Sequence, residues 1–258
     1  MEYSLLIERI QTTFIKKMMF LPPQTAGYAI RLEFSRGQIQ SNIFRRSIKF
    51  WSKVIQLDNK RLSKLCLLDA LQHQTKNNYP WLQDFENRLK TIGQSINVAY
   101  TEALNNQLNG DYWSKLYNEQ LKRDDVIKLG NTHTYGGLKL MYCENDSNNY
   151  LYRQTNIKLK RILLRLRFET STIYINENKM TIDQVDSCKW CNTEENEDWA
   201  HVLFRCEYLN QIRPKDYKGR LTTSAQLVQL VSSLTLIQAN EMYVFLKQVI
   251  AQRNQWKL

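Results

Sequence analysis

The sequence predicts a mostly α-helical protein, an irregular helical bundle with a small zinc-binding module near the C-terminus. Three observations lead there. Only eight glycines and four prolines punctuate 258 residues, too few turn-formers for a many-stranded sandwich. Apolar residues recur at three- and four-residue spacings along most of the chain. Three of the five cysteines and one of the three histidines gather in CKWCNTEENEDWAHVLFRC, residues 188–206. Apolar residues at 43% and charged residues at 24% are the composition of a folded chain rather than a disordered one.

Residues 4–20 place Leu6, Ile7, Ile10, Phe14, Met18 and Met19 at helical spacings, and Pro22-Pro23 stops that helix. A short helix follows from Thr25 to Glu33. Gln38 to Gln56 repeats the pattern with Ile39, Ile43, Phe44, Ile48, Trp51, Val54 and Ile55, leaving Arg45, Arg46, Lys49 and Lys53 to its other face. Further helices are expected over Arg61–Gln74, around Trp81, Phe85, Leu89 and Ile92, and in two segments between 97 and 129 that meet at Gly110. Residues 130–150 are rich in glycine and asparagine and read as a loop with a short strand, hence a boundary. A basic helix then runs from about Tyr150 to Phe168, the cysteine cluster follows, and helices near 222–236 and 239–254 close the chain. Four regions result: helices over 1–130, a loop over 131–150, the basic helix and metal module over 151–215, and the last helices over 216–258.

The cluster has the spacing C-x2-C-x9-H-x4-C, from Cys188, Cys191, His201 and Cys206. Two cysteines two residues apart can grip an ion from one tight turn, and the His–Cys pair supplies the other two ligands. Three thiolates and an imidazole complete the tetrahedron that zinc prefers and leave no open position, so the expected site is structural. The acidic stretch between the pairs, with Glu194, Glu195, Glu197 and Asp198, reads as a solvated loop that would repel phosphate. Contacts of this module with nucleic acid would then fall to Lys189, Trp190, Phe204 or Arg205. Trp190 could stack on a base or pack over the metal core.

Thirty-six basic against twenty-five acidic residues give a formal charge of +11, which points to an anionic partner, nucleic acid first. Arg153, Lys158, Lys160, Arg161, Arg165 and Arg167 form a run without an acid until Glu169, and could line a phosphate backbone. Arg45, Arg46, Lys49 and Lys53 form a second candidate patch. No transmembrane helix and no secretory signal are expected, and clustered, odd-numbered cysteines suit a reducing, nuclear or cytoplasmic setting. Cys66 is placed on the core side of its helix, and His73 and His133 stand alone.

Two stretches resemble a known family. Ile7-Glu8-Arg9-Ile10-Gln11, Phe14, Leu21-Pro22, Thr25, Ala29, Glu33 and Phe50-Trp51-Ser52-Lys53 are similar to the segment that follows the polymerase core in non-LTR (LINE-type) retrotransposon reverse transcriptases. Leu164-Arg165-Leu166-Arg167, the Cys-Cys-His-Cys motif and His201-Val202-Leu203-Phe204-Arg205-Cys206 resemble that family's basic helix and zinc-knuckle-like motif. The chain departs from the pattern at Glu169-Thr170, where the family carries Gly-His, and at Glu207, where it carries proline. The resemblance spans about residues 4–210. It implies RNA or DNA as partner, with a separate polymerase chain or a host protein as further partners.

Polymerase chemistry needs carboxylates paired around two metal ions. The only Asp-Asp, Asp124-Asp125 in KRDDVIK, lies in a helical pattern and reads as a solvated face. Neither endonuclease type is recognisable. The expectation is therefore a non-catalytic, nucleic-acid-binding C-terminal fragment. Its rivals are a helical protein-interaction or architectural module and a domesticated or decayed transposon remnant.

Overall fold

The computed structural model describes residues 2–73, 79–143, 151, 156–175, 178–182, 187–191, 193–217 and 223–255. Helices dominate, and one two-stranded hairpin is the only sheet among these residues. The chain divides into two compact units, each assembled from two stretches: residues 1–11 with 36–125, and residues 12–35 with 126–258. Both units are discontinuous in sequence, where the sequence reading has consecutive regions.

The helices are α1 (Glu2–Met18), α2 (Gly27–Glu33), α3 (Ile39–Ile55), α4 (Leu62–Gln72), α5 (Pro80–Thr91), α6 (Ile96–Leu104), α7 (Gly110–Gly130), α8 (Gly136–Cys143) and α9 (Ile157–Arg167). The hairpin β1 (Thr172–Ile175) and β2 (Asn178–Thr181) follows, then α10 (Ser224–Ser233) and α11 (Leu236–Gln255). Residues 136–143, expected as loop, are helical.

The first unit is organised around α3. Phe44, Ile48, Trp51 and Ile55 recur at three- and four-residue steps, so they share one stripe, and all are buried. Helices α4, α5 and α6 pack on α3. Trp51 lies 4.9 Å from Phe85, and its indole N–H reaches the Ala99 carbonyl at 3.4 Å, so the polar end of the ring is satisfied where its body is buried. The first backbone amide of α3 has no partner within its own helix, and Glu8 of α1 supplies one, accepting from Ile39 N at 2.8 Å. Cys66 is exposed, contrary to the core position expected of it, because α4 turns Lys64, Leu67 and Ala70 inward instead.

The second unit has its core on α9, whose Leu159, Ile162, Leu163, Leu164 and Leu166 are buried and which packs on β1, α10 and α11. In the hairpin Ile173 pairs with Met180, both inward, while Tyr174 faces out, the two-residue alternation of a half-buried strand. Just past the end of α9 stands Glu169, whose φ of +50° is the left-handed conformation that glycine adopts without strain. Its carboxylate accepts the Gly137 amide at 3.0 Å, in the first turn of α8, where a negative charge meets unpaired N–H groups. Gly137 is also where α8 and α10 approach: a Cβ there would run into the Val228 side chain.

Two stability outcomes are expected. Gly137→Ala should cost about 1–3 kcal/mol by overpacking, and Val228→Ala in the same chain should recover part of it, measured by chemical denaturation. Arg167→Met should cost about 3–5 kcal/mol, because the Glu33 carboxylate that Arg167 neutralises would remain buried alone; replacing both residues by apolar ones should cost much less.

Candidate metal centre and basic surfaces

Cys188, Cys191, His201 and Cys206 converge, and their four ligand atoms all lie within 4.8 Å of one another. Cys188 and Cys191 come from a turn that starts at the bridge between Ser187 and Asn196 and is held by Cys188 N donating to Glu195 O at 2.9 Å. The other pair depends on an irregular helix. Five residues along an α-helix advance about 500°, which would leave His201 and Cys206 on different faces. Residues His201–Arg205 instead form a π-helical turn, closed by Cys206 N donating to His201 O at 2.7 Å, and both ligands point the same way.

The separations suit a tetrahedral ion. Zinc–sulfur bonds of about 2.3 Å and a zinc–nitrogen bond of about 2.0 Å put ligand atoms about 3.5–3.8 Å apart. Cys188 Sγ and Cys206 Sγ are 3.9 Å apart, and Cys191 Sγ lies 3.3 Å from His201 Nε2. With Nε2 turned to the thiols, Nδ1 faces the Glu195 carboxylate at 2.9 Å. That carboxylate fixes which ring nitrogen carries the proton, the usual support for a metal-bound imidazole. His201 and then Arg205 hold Glu195 below the ordinary carboxylate range.

The thiols differ among themselves. Burial lifts the Cys191 thiol, but hydrogen bonds with Thr193, Cys188 and His201 outweigh it and bring it to about 7. Burial and the nearby thiols push Cys206 well up, and burial raises Cys188. Three thiolates this close repel one another unless a cation is shared between them, which is the service a divalent ion performs.

The acidic loop is only partly a solvated one: Glu194 and Glu195 are exposed, but three of its carboxylates have partners. Glu195 supports His201, and Asp198 accepts the His201 amide at 2.6 Å. Glu197 is buried and paired to Arg253 at 2.7 Å. Nor is the module a separate small core: Cys188, Trp199, Val202, Leu203, Phe204, Cys206 and Leu209 belong to the same apolar cluster as α9, α10 and α11. Trp190 packs, half-buried, edge-on to Tyr208 at 5.3 Å with the Arg253 guanidinium 5.8 Å from its ring. Phe204 is buried, and Arg205 is paired to Glu195 and Asp198, which corrects the reading of both as candidates for nucleic-acid contact.

The basic helix α9 is also corrected. Arg167 is 2% exposed; it pairs with Glu33 at 2.5 and 2.8 Å and donates to the Ser232 hydroxyl. Tyr142 donates to the same carboxylate, and burial with the Glu33 charge raises its phenol. Arg165 is 3% exposed, donates to the Thr172 carbonyl and lies 4.8 Å from the Tyr174 ring. Burial brings its guanidinium down to about 10, so it remains charged at neutral pH. Arg161 is half-buried, bound to the Met18 carbonyl and stacked over Phe20 at 4.1 Å. These three hold the fold and are turned from solvent phosphate, because α9 is the centre of its unit rather than its edge. Lys158 is exposed and Lys160 half-exposed, while Arg153 lies outside the described residues.

On α3 the four cations are exposed, as expected. Arg45 and Lys49 share Asp111 at 2.8 and 3.4 Å, which draws that carboxylate below its usual range. Arg46 and Lys53 flank Phe50, which is 66% exposed, at helical steps of four and three. This was missed in the sequence, where Phe50 counted only as part of a resemblance motif. Asp125 is buried and accepts from Gln38 at 3.2 Å, so Asp124-Asp125 is not a wholly solvated face either. His73 sits beside Asp69 and His133 is exposed. Among the described residues no helix is long and apolar enough to cross a membrane. No protein-family model, curated protein or solved structure matches this chain.

Glu195→Gln should weaken metal binding roughly tenfold to a hundredfold by loosening the imidazole, read by chelator competition. Cobalt(II) taken up by the wild type should give the intense visible bands of a tetrahedral thiolate site, and Cys191→Ser should reduce them.

Proposed function

We propose that this chain binds the backbone of a nucleic acid through α3 and performs no chemistry of its own, with a structural zinc ion closing its C-terminal core. The observation that carries the reading is the exposed stripe Arg46–Phe50–Lys53, two cations with an aromatic ring between them. Phosphates suit the cations and an unpaired base suits the ring, the combination by which single strands are held without sequence preference. The excess of 36 basic over 25 acidic residues agrees with it. So does the resemblance to the C-terminal region of non-LTR retrotransposon reverse transcriptases. Zinc is favoured over other divalent ions by three thiolates and one imidazole in a closed tetrahedral set, with no ligand position left for substrate. The buried arginines of α9 take no part in this contact.

A second reading has its own observation. Between α3, α4 and α5 lies a cavity of about 440 Å³, lined by Phe50, Trp51, Tyr79, Trp81 and Phe85 among others, with Trp81 51% exposed. Such a groove suits the apolar face of a partner helix, the interaction-module alternative.

A salt titration separates the two. Binding of a labelled single-stranded RNA should weaken steeply with salt. Arg46→Gln/Lys53→Gln should lower the slope of log K against log salt by about 1–2. Phe50→Ala should weaken binding with little change of slope. No binding at low salt would reject the nucleic-acid reading and leave the groove as the docking surface.

A further inference from the structure

Arg213 follows the last metal ligand by seven residues and is 3% exposed. Its guanidinium donates to the carbonyl of the ligand residue Cys206 at 2.7 Å, to the Val202 carbonyl at 3.4 Å, and to Asn210. Its Nε has no partner at all. Among the described residues no carboxylate pairs with it, which is unusual for a charge so deeply buried.

The charges nearby show what it answers to. Glu197 has Arg253, and Glu33, farther off, has Arg167. Glu195 and Asp198 share Arg205 and are partly open to water. Among the buried charges of the described residues Arg213 has no counter-charge, and an ion held by the four candidate ligands would have none either. A divalent ion with three thiolates and a neutral imidazole carries one net negative charge, and two of those thiols, Cys188 and Cys206, are buried.

We infer that Arg213 is the counter-ion of the metal–thiolate cluster, a positioning residue that holds metal in the site through its charge. The inference rests on the metal reading above and goes beyond it. The hydrogen bonds to the Cys206 and Val202 carbonyls fix the guanidinium against the backbone that presents His201 and Cys206. The pairing also works in reverse: without the ion, Arg213 is a buried cation whose Nε has no partner.

Cobalt(II) affinity measured on the full chain by competition tests this, using Arg213→Lys, Arg213→Gln and Arg213→Met. The two neutral variants should bind cobalt about tenfold or more weakly than wild type, and Arg213→Lys should stay within a few-fold of it. In thermal unfolding the neutral variants should lose stability when metal-loaded and lose little or none when stripped. A residue that only braces the backbone would behave otherwise. Lysine would then fail as badly as methionine, or both forms would be destabilised alike, and either result overturns the inference. Neutral variants with wild-type affinity overturn it too. If wild type itself shows no tetrahedral cobalt spectrum, the metal reading fails first and the inference falls with it.

Discussion

Glu33 and Arg167 are 134 residues apart in the chain, both are buried, and two hydrogen bonds join them. Neither could be buried alone, since an unpaired charge in a protein interior costs several kcal/mol. The pair therefore specifies which face of α2 meets which face of α9, and much of the second unit follows from that. Met141 and Ser232, from α8 and α10, lie against the guanidinium, so four helices of the unit meet at one charge. The same pairing recurs nearer the Cys/His cluster with Glu197 and Arg253. Packing supplies most of the stability here, but buried charge decides the register.

Much of the fold was legible because helical periodicity is a local signal. The stripe Phe44, Ile48, Trp51 and Ile55 announced α3 to within a residue of its ends, and the two closing helices were placed to within three residues of theirs. α1 was placed correctly, but only the end of its apolar stripe is inside. Leu6, Ile7, Ile10 and Phe14 are exposed, while Met19 is buried along with Glu8, Thr12 and Ile15. An apolar stripe says that a helix is amphipathic, whereas the buried face depends on distant partners such as the α3 amide that Glu8 caps. The hairpin was readable in retrospect from the alternation in Thr172–Ile175, a cue overshadowed by the basic run before it.

The candidate site divided by the range of its interactions. Four side chains close enough to hold a metal ion, within nineteen residues, are a local constellation, and spacing alone found them. The arginines failed for the opposite reason. A cation without an acid nearby in sequence looks free, yet Arg167 found Glu33 on α2 and Arg165 found a carbonyl and a tyrosine ring. The acidic loop misled in the same way, since its carboxylates serve His201, Arg205 and Arg253. Where a helix face stays outside its unit, as on α3, charge read from sequence remains charge at the surface.

The interleaved threading has a consequence for synthesis. Residues 36–125 supply most of one unit as a continuous stretch, whereas residues 12–35 belong to a unit whose remainder begins at 126. A chain emerging from its N-terminus can assemble the continuous stretch early, by contacts close in sequence. Glu33 must meanwhile stay hydrated until α9 arrives, and the loop it closes then spans an already folded body rather than loose chain. Ordering that stretch beforehand shortens the effective loop and lowers its closure entropy. The order of elements along this chain thus sets an order of events, with the second unit completed last.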